Sequence, residues 1–373
     1  MKKALVILLA LVVSGGLFAQ SINFNGSVAA GLGLIKYNEV DDMHVGLIAR
    51  SHDGANGIRT QLDGSYTNAD GTMGLNFRLR AIGTGAAASY RDDFQLNRAT
   101  GWMNFADGLL RLEGGRFGPG SAYAQIDLLS NGDDPARFPY ALFAHIRPID
   151  GLSIGVAALG TGGGLLTDGV GELLAQVTPF FGVAYNSSLF NLSAGLYAGK
   201  DDVSAMASAT IAAVTNIPIG FGIALHNINE FGDAGRVRVH ANAGINIIEN
   251  VGIGIACAFV MNQAMDDPYF RGWVWLAYTM GNIIPRLDVN YVMGGRFNDG
   301  NGLGPIETFN APTWNPDHAF IGVSPNVRFR VTGGAFVDIG YIAGIDMSSN
   351  DASAFGGTNG INHAFFIDYR ISF

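Results

Sequence analysis

Asn362 to Phe373 reads NHAFFIDYRISF, and its alternation bears most directly on the fold. Laid out as an extended strand, it places His363, Phe365, Ile367, Tyr369, Ile371 and Phe373 on one side and Ala364, Phe366, Asp368, Arg370 and Ser372 on the other. The first row is apolar and the second largely polar. A strand of this kind sets its apolar row against lipid or a protein core and its polar row against water. The closing strand of a membrane β-barrel has this form, and so does the edge strand of a soluble β-sandwich. Taken alone, the strand fits both.

Composition separates them. Hydrophobic residues make up 48% of the 373-residue chain and charged residues 14%, about half the charged share of an ordinary soluble domain. Past the N-terminal segment, no run approaches the roughly 18 to 20 apolar residues of a membrane-spanning helix. The apolar residues are instead dispersed among Gly, Asn, Ser and Thr, with 53 glycines in the chain. Backbone groups inside a bilayer must be satisfied internally, so an apolar chain without long helical spans points to a closed barrel.

The formal charge is −9, which argues against nucleic-acid binding, since that needs a basic stripe. An acidic channel wall would favour cations, although charge on external loops need not act in a pore. Cys257 is the single cysteine, so no intrachain disulfide forms. The seven histidines have no metal-ligand spacing. No metal or cofactor is expected.

Met1 to Gln20, MKKALVILLALVVSGGLFAQ, has two lysines, an apolar run from Ala4 to Val13 and small residues before Ala19. This is the layout of a secretory signal peptide with cleavage near Ala19 or Gln20. The expected organisation is a signal peptide over 1–20 and a transmembrane β-barrel over 21–373.

The barrel reading rests on repeated hairpins. Ile58 to Thr67 and Leu75 to Arg80 alternate about Asn68-Ala69-Asp70-Gly71. The same unit recurs about Ala106-Asp107-Gly108, Pro148-Ile149-Asp150-Gly151, Asn186-Ser187-Ser188, Thr215-Asn216-Ile217-Pro218, Ile248-Glu249-Asn250, Gly281-Asn282 and Thr332-Gly333-Gly334. Between the hairpins lie mostly longer connections, near 38–56, 85–92, 118–138, 161–176, 230–235, 262–270, 296–318 and 347–361. Short turns alternating with long loops are the pattern of a membrane barrel. Eight short turns and a strand at each end give about 18 antiparallel strands. Met43 to Arg50 is an extra strand or a loop hairpin, so 16 remains open. Val237 to Ile247 has the clearest alternation, with Val237, Val239, Ala241, Ala243, Ile245 and Ile247 on one face and Arg238, His240 and Asn242 on the other.

The chain as a whole resembles a bacterial outer-membrane porin, a 16- to 18-stranded β-barrel channel. The nearest local match is Leu96 to Phe117, LNRATGWMNFADGLLRLEGGRF, which resembles a porin hairpin passing an Asp-Gly turn and returning through a Gly-Gly-Arg end. The terminal phenylalanine resembles the recognition signal read by the barrel-assembly machinery, with Tyr369, Ile371 and Phe373 as its residues. The resemblance implies location in the bacterial outer membrane among its lipids. It also implies passive diffusion of small hydrophilic solutes or ions through a water-filled lumen, and association as a homotrimer. In porins the loop after the returning strand folds into the lumen. Here that loop would be Gly118 to Arg137, carrying Asp127, Asp133 and Asp134 opposite lumen-side Arg59, Arg78, Arg80, Arg111, Arg238 and Arg286. Opposed acidic and basic groups would form the pore constriction. The contrasting arrangement puts those acids on a solvated external loop and pairs the arginines with neighbouring strands.

Smaller signals complete the expectations. Gly160-Thr161-Gly162-Gly163-Gly164 lacks the Lys-Ser/Thr of a phosphate loop. Trp273, Trp275 and Tyr278 are expected as interfacial girdle aromatics, as are Tyr369 and Phe373. His240 is expected to be structural, and Cys257, sharing parity with Ile253 and Ile255, to face lipid. No Ser/His/Asp or paired-acid constellation stands out, so the chain is not expected to be an enzyme. The alternatives to a porin are a transporter of hydrophobic compounds, which needs a hatch and an apolar tunnel, and an adhesin carried on loops 118–138 and 296–318.

Overall fold

The computed structural model describes residues 19–39, 42–50, 58–83, 95–117, 140–160, 177–198, 203–212, 216–226, 228, 236–262, 269–295, 314–332, 334–347 and 361–373. Residues 1–18, the bulk of the expected signal peptide, lie outside them. The strands begin with β1 (Ala19–Glu39), β2 (Asp42–Arg50), β3 (Ile58–Asn68), β4 (Met73–Gly83), β5 (Gln95–Phe105) and β6 (Leu110–Arg116). They continue with β7 (Tyr140–Ile146), β8 (Leu152–Gly160), β9 (Val177–Asn186), β10 (Phe190–Ala198), β11 (Val203–Ile211) and β12 (Ile219–His226). The last are β13 (Arg236–Ile245), β14 (Val251–Asn262), β15 (Tyr269–Tyr278), β16 (Ile283–Gly295), β17 (Trp314–Thr332), β18 (Ala335–Asp346) and β19 (Ile361–Ser372).

From β3 onward each strand pairs antiparallel with the next, and β19 returns to β1. The sheet is therefore a closed antiparallel barrel. Its 19 strands occupy 18 lanes, because β2 and β3 share one. β2 pairs with β1 along Gly31 to Glu39, and β3 pairs with it along Ala19 to Ala29. Met43 to Arg50 is thus neither a nineteenth lane nor a detached hairpin but the upper half of a divided one. The seam runs from Ser27 opposite Ser372 to Lys36 opposite His363.

All eight short turns join the strands that the sequence pairs. Where the chain reverses in two residues, Met280 and Ile283 exchange both backbone hydrogen bonds (2.8 and 3.0 Å) around Gly281, whose φ of 59° favours glycine. At the four-residue turn, Gly71 has φ 69° and its N–H donates to the Asn68 carbonyl, while the Asn68 Oδ1 accepts from the Met73 N–H at 2.9 Å.

The two faces of each strand separate as their parity requires. On β19, Phe365, Ile367, Tyr369, Ile371 and Phe373 are exposed on the outside, whereas Phe366 and Asp368 are buried inside. On β13, Val239 is exposed and Arg238 and His240 are buried. Cys257 lies in the outward row of β14, opposite Ala241.

One inner stretch departs from the polar lining that the sequence leads one to expect. From β7 to β12, Phe143, Leu159, Phe180 and Met206 point inward and form a buried apolar cluster with Ala141, Ala184 and Ala224. Phe143 and Phe180 meet edge to face with ring centroids 5.9 Å apart. These strands are apolar on both faces, so parity alone does not tell their outside from their inside.

Candidate functional site

The remaining inner wall is built of two polar arcs. The first spans β3 to β7. Asp63 and Arg78 are register partners, and Arg78 Nε donates to Asp63 Oδ1 at 2.6 Å. Arg80 Nε and Nη2 donate to Gln61 Oε1 at 3.3 and 2.9 Å, and Gln61 Nε2 donates to Asp63 Oδ2 at 2.5 Å. Arg98 stands opposite Arg78 on β5. On β6, Arg111 donates through Nε and Nη2 to Glu113 Oε2 (3.2 and 2.9 Å), and its guanidinium lies 4.4 Å from the Trp102 ring centroid. His145 stacks on Phe143 at 5.3 Å, with its Nε2 4.0 Å from Glu113 Oε2.

The second arc runs from β13 to β19 around one carboxylate. Asp288 accepts from Arg286 Nη2 at 2.6 Å and Nε at 2.8 Å, from Trp273 Nε1 at 3.1 Å and from Asn326 Nδ2 at 3.2 Å. Arg286 also lies 5.6 Å from the Trp273 ring centroid and 4.9 Å from that of Trp275. Arg328 donates to both oxygens of Asp338 at 2.8 and 2.9 Å and sits 4.1 Å from the Phe336 ring centroid. Arg271 Nε donates to Asn290 Oδ1 at 3.2 Å. Arg238, Arg330, Arg370 and Asp368 complete the inward charges of this arc.

Strands β4 and β13 are half a circumference apart in the 18 lanes, so Arg78 and Arg80 lie across the lumen from the Arg238 strand. Among the described strand side chains, the first arc carries four arginines (Arg78, Arg80, Arg98, Arg111) against Asp63 and Glu113. The second carries six (Arg238, Arg271, Arg286, Arg328, Arg330, Arg370) against Asp288, Asp338 and Asp368. Although the whole chain is acidic, its described inner wall is basic. An acidic wall is not what these residues build.

Of the anticipated constriction residues, Arg78, Arg80 and Arg111 gather on the first arc and Arg238 and Arg286 on the second. Arg59 lies on β3 opposite Ala29. Asp127, Asp133 and Asp134 fall outside the described residues. The paired arginines are held by carboxylates of their own or the adjacent strand. The expected constriction leaves out Arg98, Arg271, Arg328 and Arg330 and the carboxylates Asp63, Glu113 and Asp338, while the polar rows of β16 and β19 already carry Asp288, Asp368 and Arg370. Their shared parity along successive strands was the available signal. Trp273 and Trp275 are not girdle aromatics: both point inward to Arg286 and Asp288, while Tyr278 is on the exposed outer row. Among the described residues, no three His, Cys, Asp or Glu side chains stand together as a metal site.

This architecture matches known structures over nearly the whole chain. An anion-selective porin from Comamonas acidovorans aligns with 95% of this chain and 99% of its own, at a TM-score of 0.51 and 12% identity. The chain has the porin barrel fold. OccK3 (OpdO) of Pseudomonas aeruginosa matches the same barrel over 94% of this chain and 96% of its own, at a TM-score of 0.51 and 10% identity. The sequence matches no protein-family model and no curated protein. At such identities the porin fold is shared while the lumen side chains are this chain's own.

Proposed function

We propose that the protein is a porin-type channel of the bacterial outer membrane through which small hydrophilic solutes and ions diffuse passively. The observation that carries this reading is the opposition of the two sheet faces: a closed 18-lane barrel turns apolar rows outward and arginine-carboxylate rows inward. A barrel of about 16 to 18 strands is too wide for wall side chains to fill, so a polar wall at this size encloses water. The arginine surplus biases that water toward anions, because a lumen lined by one sign of charge concentrates its counter-ions.

The other parts of the reading follow from the sequence. Met1 to Gln20 directs secretion, and the barrel-assembly machinery reads the closing strand through Tyr369, Ile371 and Phe373. The outward apolar rows meet outer-membrane lipids, and three copies associate. Transport of this kind needs no catalytic residue. Purified protein, folded as judged by heat-modifiable electrophoretic mobility, is expected to give stepwise conductance in planar lipid bilayers. A folded barrel that never conducts would remove the channel reading.

A further inference from the structure

A recess of about 410 Å³ lies inside the short-turn end of the barrel, where β14 to β17 meet the turn after β13. Its size falls in the range of about 300 to 1,000 Å³ typical of small-molecule sites. One wall is the indole of Trp275, laid against the β14 backbone. A Cβ on Gly252 would stand 3.0 Å from the ring, and one on Gly254 would overlap its Nε1 edge. Glycine at both positions is what lets the ring lie flat there. The indole is thereby fixed as a platform.

Three arginines border the platform. Arg286 is anchored by Asp288 through Nε and Nη2, and Arg328 by Asp338. Arg330, two residues along β17, is exposed and makes no ion pair among the described residues. It follows Arg328, whose acid is committed, and shares the recess with the Glu249 carboxylate. The other polar groups lining the recess are the amides of Asn246, Asn250 and Asn326, the Thr279 hydroxyl and, on the turn after β13, the Glu249 carboxylate.

We propose that this recess binds an anionic sugar, with the C–H face of the ring on Trp275, its hydroxyls on the Asn246 and Asn326 amides, and its phosphate or carboxylate on Arg330 beside Arg328. Each part of the site selects for one part of that ligand. A bare inorganic anion would leave the indole unused, a neutral sugar would leave Arg330 without a counter-charge, and an apolar solute would strand the amides. The proposal rests on the channel reading in one respect: the solute reaches the site from the lumen.

The test uses ligand-observed saturation-transfer NMR on the full-length protein in detergent at low salt, with glucose 6-phosphate, glucuronate and glucose as probes and inorganic phosphate as competitor. At least one anionic sugar is expected to bind about tenfold more tightly than glucose, the worth of a charge-assisted hydrogen bond. The choice between glucose 6-phosphate and glucuronate tells which anionic group Arg330 accepts. Arg330→Gln should reduce that binding to the level of glucose. Trp275→Leu should weaken all three sugars, and Trp275→Phe should restore them in part. The proposal is overturned by anionic sugars that bind no better than glucose, or by binding unchanged in Arg330→Gln, with heat-modifiable mobility checking that the variant is folded. A conducting barrel that binds no sugar removes the site and keeps the channel. Sugar binding without conductance does the reverse.

Discussion

Gly31 and Asp368 are register partners across the barrel seam, and the space where Gly31 would carry a Cβ is filled by the Asp368 carboxylate, its Cα and the carbonyl oxygen of Ile367. Backbone occupies part of that space, so no side-chain rotation can clear it. Gly26, lower on the same strand, offers a contrast. There the obstacle is the ring of Phe373, the exposed end of the chain, while the two backbones exchange hydrogen bonds at 2.8 and 2.9 Å. Gly31→Val is therefore expected to cost about 3 kcal/mol or more, as overpacking against fixed backbone does. Gly26→Ala should cost under about 1 kcal/mol, because the ring can swing aside. Urea unfolding in lipid vesicles checks both, and equal effects at the two positions would contradict the seam geometry.

Removing the Asp288 carboxylate should destabilise the second arc more than removing any one of its donors. Asp288 is buried and holds Arg286, Trp273 and Asn326 together, whereas the Arg286 side chain is 32% exposed to the lumen. Solvent screening reduces the worth of the ion pair itself. Stranded donors and an unpaired guanidinium set the cost, so Asp288→Ala should lose about 2 to 3 kcal/mol and Asp288→Asn about half of that. Thermal unfolding followed by circular dichroism measures the difference.

The hairpins are legible in the sequence because their turns use residues with a mechanism, such as Gly71 and Gly281 at positive φ, and because β13 and β19 alternate strictly. Three things were not. Trp273 and Trp275 share parity with Arg271, which places them inside, but their position near a strand start suggested an aromatic girdle. The inward cluster of Phe143, Leu159 and Phe180 sits on strands that are apolar on both faces, where a period of two carries no sign. The basic wall was hidden by net charge, since that sum takes in all 31 acidic residues and not only Asp63, Glu113, Asp288, Asp338 and Asp368 on the inward rows with the arginines.

The arginine surplus predicts selectivity with a definite salt dependence. In a tenfold potassium chloride gradient the reversal potential should take the sign of chloride preference. Arg80→Glu together with Arg330→Glu should move it toward zero or past it. Raising ionic strength from about 0.1 to 1 M shortens the Debye length from roughly 10 to 3 Å, so the preference should fall as salt rises. Cation preference at low salt in the unaltered protein would be inconsistent with the wall described.

The inward apolar cluster separates a packed core from a path for apolar solutes. Phe180 is fully buried, Phe143 meets it edge to face, and its ring lies over Gly195, where a Cβ would stand 2.9 Å away. A side chain so enclosed offers no surface to a passing molecule. Phe180→Ala should then behave as a cavity mutation, costing about 3 to 5 kcal/mol and leaving the permeation of hydrophobic compounds unchanged. Gly195→Ala should strain the same contact and destabilise by about 1 to 2 kcal/mol. Unfolding in vesicles gives the stability terms, and uptake of a lipophilic dye into liposomes containing the protein gives the other. If Phe180→Ala kept full stability but altered dye uptake, the cluster would be a lining for apolar cargo, and the hydrophobic-transporter reading would displace the diffusion channel.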